Sequence, residues 1–131
     1  MSICNICPRA CKIERKRSAS DRGTVGYCAS GMLPVISRAA LHHWEEPCIA
    51  GTRGAGTVFF AGCNLSCVYC QNYEISEMRK GIEVSVDRLK EIYQELIRQG
   101  AHNIDLVTPT HYTHAIFQSL RDPLPVPVVY N

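Results

Sequence analysis

The chain has 131 residues, 46% of them apolar and 20% charged, with a formal net charge of +2. This length allows one domain, or a domain with a small appendage, of ordinary globular composition. So small a charge argues against a nucleic-acid or membrane-surface partner, and no apolar run approaches the roughly 20 residues that span a bilayer.

The opening Met1-Ser2-Ile3-Cys4 has no signal-peptide architecture. Eight cysteines could instead form disulfides in a secreted protein. Their grouping in two clusters favours metal binding in a reducing cytoplasm, so a cytoplasmic location is expected. Residues 1–31 read as a Cys-rich metal-binding segment. It carries Cys4, Cys7 and Cys11 at C-x2-C-x3-C spacing, with Cys28 further on. The basic residues Lys12, Arg15, Lys16 and Arg17 and the polar stretch Ser18 to Gly23 offer little apolar surface to bury. A metal staple is therefore the expected source of order. Four cysteines suit structural zinc or an auxiliary iron–sulfur cluster, and unliganded thiols are the bland alternative. The basic run reads as a solvated loop, or as an electrostatic dock for an acidic electron donor.

Residues 32–54 read as a connector, with Pro34-Val35-Ile36 as a short edge strand and Pro47 ending the Leu41 to Glu46 piece. His42, His43, Glu45 and Glu46 lack the i, i+4 histidine pair of a helical zinc site. Cys48 stands alone and reads as a small buried hydrophobe. Gly51, Gly54 and Gly56 precede a strand, the wrong order for a dinucleotide loop, so they serve tight turns.

Residues 55–131 read as an α/β core. Thr57-Val58-Phe59-Phe60-Ala61-Gly62 is a buried strand closed by glycine, and Cys63, Cys67 and Cys70 follow it at C-x3-C-x2-C spacing. Three thiolates fill three corners of a [4Fe-4S] cube and leave one iron open, as a catalytic metal keeps an open position. A structural zinc site is the competitor. Ser85 caps a helix whose apolar face is Val86, Leu89, Ile92, Tyr93, Leu96 and Ile97, with Gly100 as the stop. Asn103 to Thr108 is a second strand. A shorter helix comes next with Tyr112, Ile116 and Leu120 on one side, and Val126 to Tyr130 is a third strand. Strand, helix, strand, helix, strand is the order of parallel βαβ units, whose chemistry gathers at the carboxyl ends of the strands. Cys63, Thr108 and Asn131 then share one rim.

Cys63, Cys67 and Cys70, with Tyr69 before the last thiol, resemble the Cys-x3-Cys-x-aromatic-Cys signature of the radical S-adenosylmethionine (SAM) superfamily. Glu45-Glu46-Pro47, Gly51-Thr52-Arg53-Gly54 and Gln71-Asn72-Tyr73-Glu74-Ile75-Ser76 resemble its pyruvate formate-lyase activating enzyme-like branch, from Cys4 to the last residue. The resemblance implies the N-terminal part of a partial (β/α) barrel holding a [4Fe-4S] cluster and SAM. It implies reductive cleavage of SAM to methionine and a 5′-deoxyadenosyl radical, an oxidoreductase-type activity. Tyr69 matches the position that contacts adenine. Thr108 and Thr110 stand where other members carry Gly-Gly-Glu, and become candidate SAM contacts. His42 and Glu46 become candidate supports for the cluster ligands. Implied partners are a flavodoxin- or ferredoxin-type reductant and a protein or small-molecule substrate. A superfamily core has about six βα units, and a small eight-unit barrel needs ~200 residues. The chain reaches only a third strand, so it is expected to be a fragment, or a half completed by self-association or a partner, and incomplete for turnover alone. The alternative function is a non-catalytic module holding zinc or iron–sulfur.

Overall fold

The computed structural model describes residues 3–21 and 26–131. Met1, Ser2 and residues 22–25, which include the end of the polar Ser18 to Gly23 stretch, lie outside the described residues. The strands are β1 (Val35–His42), β2 (Ala55–Phe60), β3 (Ile82–Glu83), β4 (Ile104–Val107) and β5 (Val128–Tyr130). Between them run α1 (Pro47–Ala50), α2 (Tyr73–Ser76), α3 (Val86–Arg98) and, after a 3-10 turn at Thr110–Tyr112, α4 (Thr113–Ser119).

One sheet contains all five strands, in the order β3-β1-β2-β4-β5. β2, β4 and β5 run parallel, as the strand–helix–strand pattern requires, with Val58 opposite Leu106 and Ile104 opposite Val128. The mixed α/β class with a parallel core agrees with the sequence expectation. The expected edge strand at Pro34 to Ile36 is corrected. β1 is eight residues long, lies inside the sheet, and pairs antiparallel with β2 from Ile36↔Phe60 to His42↔Ala55. Its pairing covers the flank of β2 that an isolated three-stranded parallel sheet would leave open.

Strand alternation sends Val58, Phe60, Ile104 and Leu106 to one face, where they meet Leu89, Ile92, Tyr93 and Leu96 of α3 and Ile116 of α4. α3 forms where its cap and stop place it. Ser85 Oγ accepts from Arg88 N at 3.1 Å, and Gly100 takes φ +105 just past the helix. The core holds β2 and β4 side by side, and so sets where the loop leaving each strand begins.

Candidate functional site

β2 ends at Phe60 inside the core, and the chain must then leave the sheet without colliding with the N-terminal segment. Gly62 makes that exit at φ +81. A Cβ there would stand 2.9 Å from Ser30 Oγ and 3.0 Å from the Cys28 carbonyl, so glycine alone fits. Cys63 comes at once, and Ser66 turns the loop again at φ +55. Cys63, Cys67 and Cys70 are free thiols, Cys67 exposed and the other two half-buried. Leu65 N donates to Cys63 Sγ at 3.3 Å, and Cys70 Sγ shares a 3.4 Å hydrogen bond with Ser76 Oγ at the end of α2. Donors of this kind suit sulfurs that carry negative charge. Tyr69 is 91% exposed beside them.

A single metal ion would need its sulfurs drawn to about 2.3 Å from one point. Among the described residues no group of three or more His, Cys, Asp or Glu side chains is so gathered, at this loop or among Cys4, Cys7, Cys11 and Cys28. A [4Fe-4S] cube takes thiolates at separate corners. The donor set of this loop, three reduced thiols with amide and hydroxyl donors on two of them, fits that group.

The strand ends are stitched together. Thr108 N donates to Asn131 O at 2.9 Å, Asn131 N to Leu106 O at 2.9 Å, and Tyr130 Oη to Thr110 Oγ1 at 2.9 Å. His111 Nε2 bonds Ala61 O at 2.9 Å, tying the Thr-Pro-Thr turn to the exit of β2. A carbonyl only accepts, so Nε2 carries the proton and the buried Nδ1 keeps its lone pair without a partner. Burial pushes the His111 pKa down to about 4, helped by the nearby Arg15 charge and opposed by the Ala61 bond, so the ring is neutral. Thr108 stands at φ +57, a region that costs a β-branched residue on the order of 1–3 kcal/mol and that is found disproportionately at ligand sites.

Cys4, Cys7, Cys11 and Cys28 line one cavity, with His111 and Asn64 also on its wall. Tyr27 N donates to Cys11 Sγ at 3.4 Å. On the sheet face away from α3, Thr57 and Asp105 are register partners, and both are 0% exposed. Neither carboxylate oxygen of Asp105 and not the Thr57 hydroxyl meets hydrogen-bond geometry with a partner. Burial, then the charge of Glu45, push the Asp105 pKa up to about 6. The Asn131 side chain and His42 pull it down, and Glu46 adds a smaller upward push.

Residues 57–121 match the model of the Radical SAM superfamily. The matched stretch takes in most of β2, the cysteine loop, α3, β4 and α4. An uncharacterized protein of Methanocaldococcus jannaschii is 33% identical over 75 residues, which are 57% of this chain and 19% of that relative's length. No solved structure matches the chain at a significant level. No helix among the described residues is long and apolar enough to cross a membrane.

The parallel strands β2, β4 and β5 therefore bring the Cys63 loop, Thr108, Thr110 and Asn131 to one rim, as strand order implied. Other expectations are corrected. His42 pairs with Ala55 at the amino end of β2, and Cys63 lies past the carboxyl end. At about 3.3 Å per residue the two ends are on the order of 16 Å apart. His42 instead meets Glu45 at 3.3 Å, and Glu46 stands at the N-cap of α1, so neither supports the cysteine loop. Cys48 is exposed, because α1 is one turn long and buries only Ala50. Arg15 is not part of a solvated basic loop. It is buried, and the carbonyls of Ser30, Gly31 and His111 replace its water. The roles of His111, Arg15 and Asp105 were not legible from the sequence pattern. The one local signal was Asp105, a charge set between Ile104 and Leu106 in an otherwise apolar strand.

Proposed function

We propose that the chain carries the cluster- and SAM-binding half of a radical SAM enzyme, with Cys63, Cys67 and Cys70 as the three ligands of a [4Fe-4S] cluster. The observation that carries this is the shared rim: the thiol loop, strained Thr108 and Asn131 leave three adjacent parallel strands on the same side. When bound, the cluster supplies the electron that cleaves SAM to methionine and a 5′-deoxyadenosyl radical. Tyr69, exposed beside the last ligand, offers an aromatic face for adenine. Thr108 and Thr110 offer backbone and hydroxyl groups to the methionyl end. Neutral His111 holds the Thr-Pro-Thr turn against β2, which keeps that contact at a fixed distance from the thiols.

On the same reading the electron comes from a flavodoxin- or ferredoxin-type protein, and the radical takes hydrogen from a glycine of a partner protein or from a small molecule. These finer features rest on the pyruvate formate-lyase activating enzyme-like resemblance. The four N-terminal thiols, lining one cavity, form a second and structural metal centre of zinc or iron–sulfur. The cavity also gives ground to a second reading, a non-catalytic metal-binding module.

Anaerobic reconstitution with iron and sulfide tests the assignment. Cys63→Ala, Cys67→Ala and Cys70→Ala should each lose one cluster's iron and sulfide while keeping the metal of the N-terminal group. Full iron and sulfide in any of the three overturns it, and a colourless wild-type protein carrying only zinc supports the module.

A further inference from the structure

Arg9 lies between Cys7 and Cys11, yet its side chain leaves that segment for the cluster loop. Nε donates to Asn64 O at 2.9 Å and Nη2 to Leu65 O at 3.2 Å, across sequence separations of 55 and 56 residues. The Tyr27 ring braces the guanidinium, its centroid 3.8 Å from Cζ. The Asn64 carbonyl that accepts from Nε belongs to the same peptide unit as the Leu65 N–H. That N–H is the one that donates to Cys63 Sγ at 3.3 Å. A peptide unit is planar, so holding its carbonyl end sets where its N–H points. A cationic donor on the carbonyl also polarises the unit and strengthens the N–H as a donor.

We infer that Arg9 is a positioning residue for the central cluster: it holds the Asn64–Leu65 peptide so that an N–H stays on Cys63 Sγ, and so raises the cluster's reduction potential. The inference rests on the reading that Cys63, Cys67 and Cys70 bind the cluster. Reduction adds negative charge that the thiolate sulfurs share, so a donor on Sγ favours the reduced form. The same contact adds to those that hold the Cys-rich segment against the sheet, Arg15 on His111 O and Ser18 and Ala19 on Glu83. Lysine at this position would keep the charge but lose the two-pronged donor, which separates simple charge from control of the peptide.

The test uses the whole chain, reconstituted anaerobically, as wild type, Arg9→Gln and Arg9→Lys. Mediated potentiometric titration is read by electron spin resonance, and amide hydrogen exchange is read at Leu65. With iron content unchanged, Arg9→Gln is expected to lower the reduced-to-oxidised ratio at fixed potential about tenfold, or ~59 mV for a one-electron couple. Arg9→Lys should recover less than half of that shift, and Leu65 should exchange faster in both. A loaded Arg9→Gln protein with unshifted potential, or unchanged exchange at Leu65, overturns the inference and leaves the cluster assignment standing. Should Arg9→Gln lose its iron, the Lys variant decides, and an unshifted potential there overturns the inference as well. A wild-type chain that takes up no cluster overturns the proposed function and this inference together.

Discussion

Asp105→Asn should make the protein more stable at neutral pH, although it removes a buried charged group from the middle of β4. The carboxylate is fully buried, no partner meets hydrogen-bond geometry with either oxygen, and Glu45 and Glu46 add like charge. Its pKa rises from 3.8 to about 6 on folding. The folded state therefore prefers the neutral acid, and the favourable contribution is complete below about pH 4. It is lost as pH rises through the folded value, because the unfolded chain has already released its proton. A shift of about two units corresponds to about 3 kcal/mol at pH above 7. Asparagine has the shape of the neutral acid and no ionisation, so Asp105→Asn should remove that penalty. Urea unfolding of wild type and variant across the range from about pH 4.5 to 8 measures it, and the difference curve cancels every group the two proteins share. The expected curve starts about 1 kcal/mol in favour of the variant at about pH 4.5 and climbs toward about 3 kcal/mol, levelling above about pH 6.5. A flat curve, or a variant that is less stable at pH 8, would show that Asp105 is ionised and well partnered in the folded protein, and would refute the burial penalty.

Two further outcomes concern the elements that place the rim. Ser85→Ala removes the cap of α3 and should cost about 1 kcal/mol, read as a lower urea midpoint with an unchanged slope; no shift would mean that Arg88 N finds another acceptor. Gly62→Ala puts a Cβ against Ser30 Oγ and the Cys28 carbonyl at positive φ, so it should destabilise by more than about 1 kcal/mol and lower iron uptake. Wild-type stability and iron content in that variant would show that the exit from β2 is looser than its geometry.

Much of the parallel α/β core was legible because its signals are local. Ser85, the apolar stripe of α3 and Gly100 define a helix without reference to anything distant. The three parallel strands announce themselves as β-branched runs of the right length. The cysteine loop was equally plain, since its three thiols lie within eight residues. The hidden features depend on pairing across the chain. β1 looked like a connector because Arg38, Ala39 and Ala40 break its apolar run, and only its pairing with β2 makes it a strand. Arg15 looked solvated because the carbonyls that receive it come from Ser30, Gly31 and His111, up to 96 residues away. The reach of Arg9 to Asn64 and Leu65 is hidden for the same reason. His111 sat in plain view after Thr110, but its role depends on Ala61, which the fold alone brings to it.

The most direct test of the rim as a SAM site is the electron spin resonance spectrum of the reduced, reconstituted chain with and without SAM. SAM on an iron left open by Cys63, Cys67 and Cys70 should change the signal of that cluster, and Thr108→Val, which removes the hydroxyl the turn offers and keeps the β-branched shape, should weaken the change without lowering iron content. A reduced cluster whose spectrum is indifferent to SAM at saturating concentration would contradict the assignment of this rim to SAM.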